Sequence, residues 1–301
     1  YGDTYPMYNG AIGMTIEQGG GGRAGIGGYN AIGDTVTLSS RIAGHYTAAL
    51  SAVEMTSQHS ARLLSEFERY FKTNSTAPKG MYKSFVIKGE SNPAQVAKLL
   101  ELLDKNGIQY GKATAKTGLK GFDYQSGKTA VPFATSDKDI VISAYQPKSV
   151  LTQVLFEPNP ALHDSITYDI TSWAMPYAYG LKAFALDTRL DPSGSYEKPA
   201  AAPTKEVTGT PVAYLAPWQG TRDAAFLAAL LNQKIRVRYA EYPFTVEGKS
   251  YPAGTLMITK GGNEWVANFA QTVQETAAAH GIALNTTQTG YVEQGKDFGS
   301  P

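Results

Sequence analysis

The sequence predicts an α/β protein whose second and larger part is built twice on one plan. Three observations lead there. Short apolar runs rich in β-branched residues alternate with longer stretches in which apolar residues recur at three- and four-residue steps, the pattern of strands between helices. That order appears once in residues 80–190 and again in residues 211–301. Paired stretches correspond within it: LLDKNGIQYGKA at Leu102–Ala113 with LLNQKIRVRYA at Leu230–Ala240, and KDIVISAYQP at Lys138–Pro147 with GTLMITKGGN at Gly254–Asn263. Duplication of one β-α-β-hairpin-β-α unit explains this, and coincidence within an ordinary α/β domain is the competing account.

Ahead of the repeats stands NGAIGMTIEQGGGGRAG, Asn9–Gly25. Ile12, Met14 and Ile16 alternate with Ala11, Gly13, Thr15 and Glu17, and period two predicts a strand. One face is apolar, and the other stays small until Glu17, just before four glycines end the run. Such a strand forms the wall of a pocket with an acid at its rim, or else a buried sheet strand whose Glu is solvated at the tip. Arg23–Asp34 is glycine-rich loop. Thr37–Lys72 follows as one long helix or two collinear ones, with Ile42, Tyr46, Leu50, Val53, Leu63, Leu64, Phe67 and Phe71 as its apolar positions and Thr37 or Ser39 as its cap. The polar stretch TNSTAPKG, Thr73–Gly80, closes a first domain at about residue 75.

The first repeat, residues 80–190, predicts a strand at Tyr82–Lys88 and a helix at Pro93–Lys105 stopped by Asn106-Gly107. A strand at Ile108–Ala113, a hairpin within Phe122–Phe133, a strand at Asp139–Ala144 and a helix at Lys148–Phe156 complete it. Residues 157–190 are aromatic and irregular, and residues 191–210, rich in Pro, Ala and Ser, are a linker. In the second repeat the strands are Pro211–Ala216, Ile235–Ala240 and Gly254–Thr259, the helices Asp223–Asn232 and Glu264–His280, and the hairpin turns at Glu247-Gly248-Lys249. Asn285–Pro301 has little periodicity.

Composition excludes several functions. The 301 residues are 42% hydrophobic and 18% charged, as in a folded globular protein. A net charge of +1 gives no electrostatic case for nucleic acid, and no apolar run reaches the roughly 20 residues of a membrane span. With no cysteine, thiol catalysis and cysteine-ligated metal are excluded. That composition fits a secreted or periplasmic bacterial protein. Gly20-x-Gly22-x-x-Gly25 matches the dinucleotide fingerprint in letters alone, because RAGIGGYN cannot be the helix whose N-terminus holds the pyrophosphate. The four histidines are scattered. His45 and His59 lie about 21 Å apart on a straight helix and cannot share a metal. Gln146-Pro147 and the aromatic Ser172–Gly180 either line a groove or are core and helix-start signals.

Thr15-Ile16-Glu17, followed by Arg23-x-Gly25 and a long helix, resembles the closing strand, loop and C-terminal helix of the zinc metallocarboxypeptidases, the carboxypeptidase A-like family. The longer stretch YPMYNGAIGMTIEQGGGGRAG resembles a large secreted bacterial branch of that family, in which α/β domains follow the peptidase domain. The resemblance covers residues 1–75, and the remainder resembles that branch's downstream region. It implies that Glu17 is the catalytic glutamate, Thr15 a wall of the specificity pocket and Arg23 a supporting loop arginine. It also implies a Zn2+ ion that activates water, with the carboxylate carrying the proton. The family's second Arg, two residues after the glutamate, is Gly19 here. The HxxE pair and later His that would bind zinc belong upstream of Tyr1.

Two readings follow for the whole. The chain is the C-terminal portion of a peptidase that hydrolyses C-terminal residues of peptides, completed by an upstream zinc-binding half and inactive alone. Otherwise it is a non-catalytic α/β binding or scaffolding module of an exported bacterial protein, with residues 80–301 able to bind a ligand independently.

Overall fold

The computed structural model describes residues 4–17, 27–160, 174–198 and 211–300. The glycine run with Arg23, the stretch holding His163 and Trp173, and most of the expected linker lie outside the described residues. The chain divides into two compact units, Tyr1–Glu90 with Glu101–Tyr196, and Ser91–Leu100 with Glu197–Pro301.

The first unit begins with α1 (Thr4–Met7) and a small antiparallel hairpin of β1 (Gly27–Tyr29) and β2 (Thr35–Thr37). Asn30 tightens its turn, its Oδ1 accepting the N–H groups of Ile32 and Asp34. Two helices follow, α2 (Leu38–Gln58) and α3 (Ser60–Thr76). Thr37 caps α2: its Oγ1 accepts the N–H of Ser40, and the Ser40 Oγ accepts the N–H of Thr37. The run expected as one long helix or two collinear ones is two helices, separated at His59, where φ −108° and ψ 20° leave the helical range. Phe67, Tyr70 and Phe71 of α3 meet edge to face, and Tyr70 donates to the carbonyl of Tyr8.

The rest of this unit is a layered α/β body. In chain order come β3 (Ser84–Ile87), α4 (Pro93–Lys105, whose residues up to Leu100 count with the second unit), β4 (Gly111–Lys112), β5 (Lys116–Asp123), β6 (Lys128–Thr135), β7 (Ile140–Ser143), α5 (Ser149–Phe156), α6 (Met175–Ala178) and β8 (Ala183–Leu186). The sheet order is β4-β7-β3-β8-β5-β6, with every neighbouring pair antiparallel. β3, β7 and β8 are buried at all positions, as their uninterrupted apolar runs require. Phe85 stacks on Phe156 of α5, 5.1 Å between ring centroids. Pro93 opens α4, where its fixed φ fits and its missing N–H costs nothing. Gly107, at φ 65°, ends it, and the N–H of Ile108 returns to the carbonyl of Leu103.

The second unit holds β9 (Ala213–Ala216), α7 (Thr221–Asn232), β10 (Arg238–Tyr239), β11 (Phe244–Val246), β12 (Lys249–Tyr251), β13 (Leu256–Thr259), α8 (Phe269–Ala279) and β14 (Asn285–Thr287). Its main sheet has the order β10-β13-β9-β14, again antiparallel throughout, and β11 and β12 form a separate hairpin. Tyr214, Phe226, Leu230, Ile258, Phe269 and Val273 make its principal core.

The two sheets share one topology, strand for strand. β4-β7-β3-β8 and β10-β13-β9-β14 use their strands in the same chain order. Their registers also correspond: Ser84 faces Ser143 and Leu186, while Ala213 faces Thr259 and Thr287. Gly111 faces Val141, and Arg238 faces Met257. They differ at the hairpin, which joins the sheet through β5 and β8 in the first unit only.

Several sequence expectations need correction. β8 and β14 lie in stretches expected to be irregular or without periodicity, and each supplies the strand that flanks the first strand of its unit. The strands expected at Ile108–Ala113 and Ile235–Ala240 shrink to two residues each, because both are sheet edges with a single neighbour. The helix expected from Glu264 starts at Phe269. Residues 12–17, expected as a strand, form no strand among the described residues.

Candidate functional site

Of the residues singled out by the sequence, Thr15 and Glu17 lie where the N-terminal stretch meets α2. His45 makes that contact: its Nε2 is 3.1 Å from the carbonyl oxygen of Ile16, and its Nδ1 is 3.0 Å from that of Arg41, one turn back. The Ile16 carbonyl sits between Thr15 and Glu17, so His45 fixes the backbone that carries both side chains. Thr15 and Glu17 are exposed. Arg23 lies outside the described residues. The sequence did not single out Arg41 and His45 as a pair; their spacing of four on one helix face was the available signal.

Arg41 adds a second feature. Its Nε donates to the carbonyl of Thr37, but its Nη2 is buried with no hydrogen-bond partner among the described residues. A buried guanidinium nitrogen ordinarily has an acceptor, so this corner is polar and incomplete as described.

The apolar surfaces around it are incomplete in the same way. α2 has no buried residue. Ile42, Tyr46, Leu50 and Val53 recur at three- and four-residue spacing and are 59%, 69%, 54% and 68% exposed. Ile12 and Met14, the apolar face of the alternating stretch, are exposed too. Helical and strand-like apolar rows normally face a core. Here both face outward.

Among the described residues no three His, Asp or Glu side chains come together as a metal site requires. Glu17 would serve such a site as an acid–base group, not as a ligand.

The second unit contains a cavity of about 400 Å³, lined by Pro93–Lys98 residues, the first turn of α7 and Gly281–Asn285. The carboxylate there, Asp223, is occupied: its Oδ2 accepts the N–H groups of Gln219 (2.9 Å) and Gly220 (2.8 Å) and so caps α7. Elsewhere, burial pushes the Tyr124 hydroxyl far above its ordinary range, and the group donates to the Phe156 carbonyl as a core tether. Lys88 and Asp139 form a buried ion pair at the end of β3.

Comparison with protein-family models, curated proteins and solved structures gives no match.

Proposed function

We propose that this chain is the C-terminal portion of a zinc metallocarboxypeptidase-like peptidase, which removes C-terminal residues from peptides once a zinc-binding half joins it. One observation carries the reading. Residues 12–17 have the alternation of a sheet strand but belong to no strand of the described residues, and the Ile16 carbonyl meets His45 of α2, a helix whose apolar row is exposed. An alternating apolar stretch beside an exposed apolar helix row is what a sheet completed by another polypeptide segment would cover. Thr15-Ile16-Glu17 and the helix after it match the family's closing elements in order and spacing. No helix of the described residues is long and apolar enough to cross a membrane.

In this reading Glu17 is the acid–base group, Thr15 lines the side-chain pocket and Arg23 supports the loop. Residues 80–301 are a duplicated α/β region, a reading supported by the shared strand order and register of the two sheets. The test uses the chain joined to its zinc-binding half. Glu17→Gln is nearly isosteric but cannot carry a proton, so peptide hydrolysis is expected to fall roughly 10²–10⁴-fold with zinc content unchanged. Thr15→Val is expected to alter which C-terminal side chain is preferred while sparing the rate with the best substrate. Near-normal turnover of zinc-loaded Glu17→Gln would remove the peptidase assignment and leave the binding-module reading.

A further inference from the structure

Gln146, which the sequence left between a groove residue and a core residue, and Asn263 make the same set of hydrogen bonds in the two units. The Gln146 Oε1 accepts the N–H of Gln109 (2.7 Å), and its Nε2 donates to the carbonyls of Gln109 (3.0 Å) and Ser143 (2.7 Å). The Asn263 Oδ1 accepts the N–H of Arg236 (2.7 Å), and its Nδ2 donates to the carbonyls of Arg236 (2.9 Å) and Thr259 (2.9 Å). Both side chains are buried, 2% and 1% exposed. Gln109 and Arg236 each stand two residues ahead of an edge strand, β4 or β10. Ser143 and Thr259 end the neighbouring strands and occupy equivalent registers opposite Ser84 and Ala213.

We infer that Gln146 and Asn263 are one conformational latch, present once in each unit, that holds the edge strand onto its sheet. A primary amide is the neutral side chain that can accept an N–H and donate to the C=O of one residue together, as a strand partner does. The latch therefore extends the pairing of a two-residue strand. The two copies compensate in length: Gln146 is three residues past Ser143, whereas the shorter Asn263 is four past Thr259. The longer side chain goes with the shorter loop, and both reach the same groups.

The units differ in what else grips the edge. Lys112 of β4 is bonded on its outer side, its N–H to the Gly194 carbonyl (2.9 Å) and its carbonyl to the Ser193 N–H (2.8 Å). Among the described residues β10 ends its sheet with β13 as its sole strand neighbour. The latch thus matters more for β10 than for β4.

Hydrogen exchange on the intact chain, read by mass spectrometry of peptides, tests this. Asn263→Ala is expected to speed exchange across Arg236–Tyr239 by about tenfold or more, with the first unit unchanged. Gln146→Ala is expected to speed exchange across Gln109–Lys112 by a smaller factor, with the second unit unchanged. Asn263→Asp keeps the acceptor and loses the donor, so it falls between wild type and Ala and serves if Ala does not fold. Unchanged exchange at the edge strands, or acceleration spread evenly over a whole unit, overturns the inference.

Discussion

Asp139→Ala is expected to destabilise the first unit by on the order of 3–5 kcal/mol, the range for breaking a buried ion pair from one side. The carboxylate is 2% exposed and accepts the N–H groups of Gly89 (2.7 Å) and Ser136 (2.9 Å) as well as the Lys88 ammonium. Its removal strands two backbone donors and leaves Lys88 only the Ala134 carbonyl, 2.8 Å away. An orphaned buried donor costs about 1–3 kcal/mol, so the two N–H groups alone account for much of the loss. For a unit of this size each 1 kcal/mol lowers the midpoint by about 2–4 °C, which places the expected drop at about 6–20 °C. Differential scanning calorimetry of the intact chain measures it on the transition of the first unit. Asp139→Asn keeps one acceptor oxygen and is expected to lose less. Lys88→Met leaves the carboxylate with both backbone donors and is expected to lose less than Asp139→Ala. A drop under about 2 °C for Asp139→Ala, or a larger loss for Lys88→Met, would show that the backbone donors do not carry the effect.

Three further outcomes are expected. Lys234 ends α7 at φ 62°, where Gly107 ends α4 at φ 65°; Lys234→Gly should gain about 1 kcal/mol and Gly107→Ala lose about as much, read from urea midpoints. Replacing Ile42, Tyr46, Leu50 and Val53 together by Ser should leave the chain's own midpoint nearly unchanged and lower its binding of a hydrophobic dye. The same substitutions should destabilise the chain once the zinc-binding half is joined. Burial, with its hydrogen bond to Asp104 (2.9 Å), pushes the Tyr110 hydroxyl up from 10.0 to about 12. Its contribution is complete below about pH 10 and is lost as pH rises towards 12, so the alkaline fall in stability should be shallower in Tyr110→Phe, as followed by circular dichroism.

Where the sequence was legible, a local signal and the tertiary structure agreed. α4 runs from Pro93 to Lys105 as expected because proline, apolar spacing and Asn106-Gly107 all act within the helix itself. The repeat was readable for the same reason, since the turns after Leu103 and Leu230 close identically. β8 and β14 were not legible. AFAL is too short and uniformly apolar to show a period, and NTT is polar; both become strands because a neighbour offers them backbone partners. The stretch of residues 12–17 is the converse, a clear alternation that forms no strand among the described residues. Thr15 and Glu17 stand out in the sequence as a pattern, whereas the contact of His45 with the Ile16 carbonyl depends on where α2 comes to lie.

In each of the two larger sheets the strand made first occupies an interior place, and its last neighbour is made much later. Ser84 pairs with Leu186, roughly 100 residues further along the chain. At about 5–20 residues per second a ribosome takes some 5–20 s to cover that interval. During it, β3 can acquire β7 on one side while its other edge, apolar on both faces, stays open to any strand nearby. β9 meets the same delay before β14 is made, over a shorter interval. Newborn chains of this protein should therefore depend on chaperones until the closing strands emerge, and a stop codon placed ahead of Ala183 should yield aggregates rather than a smaller folded domain.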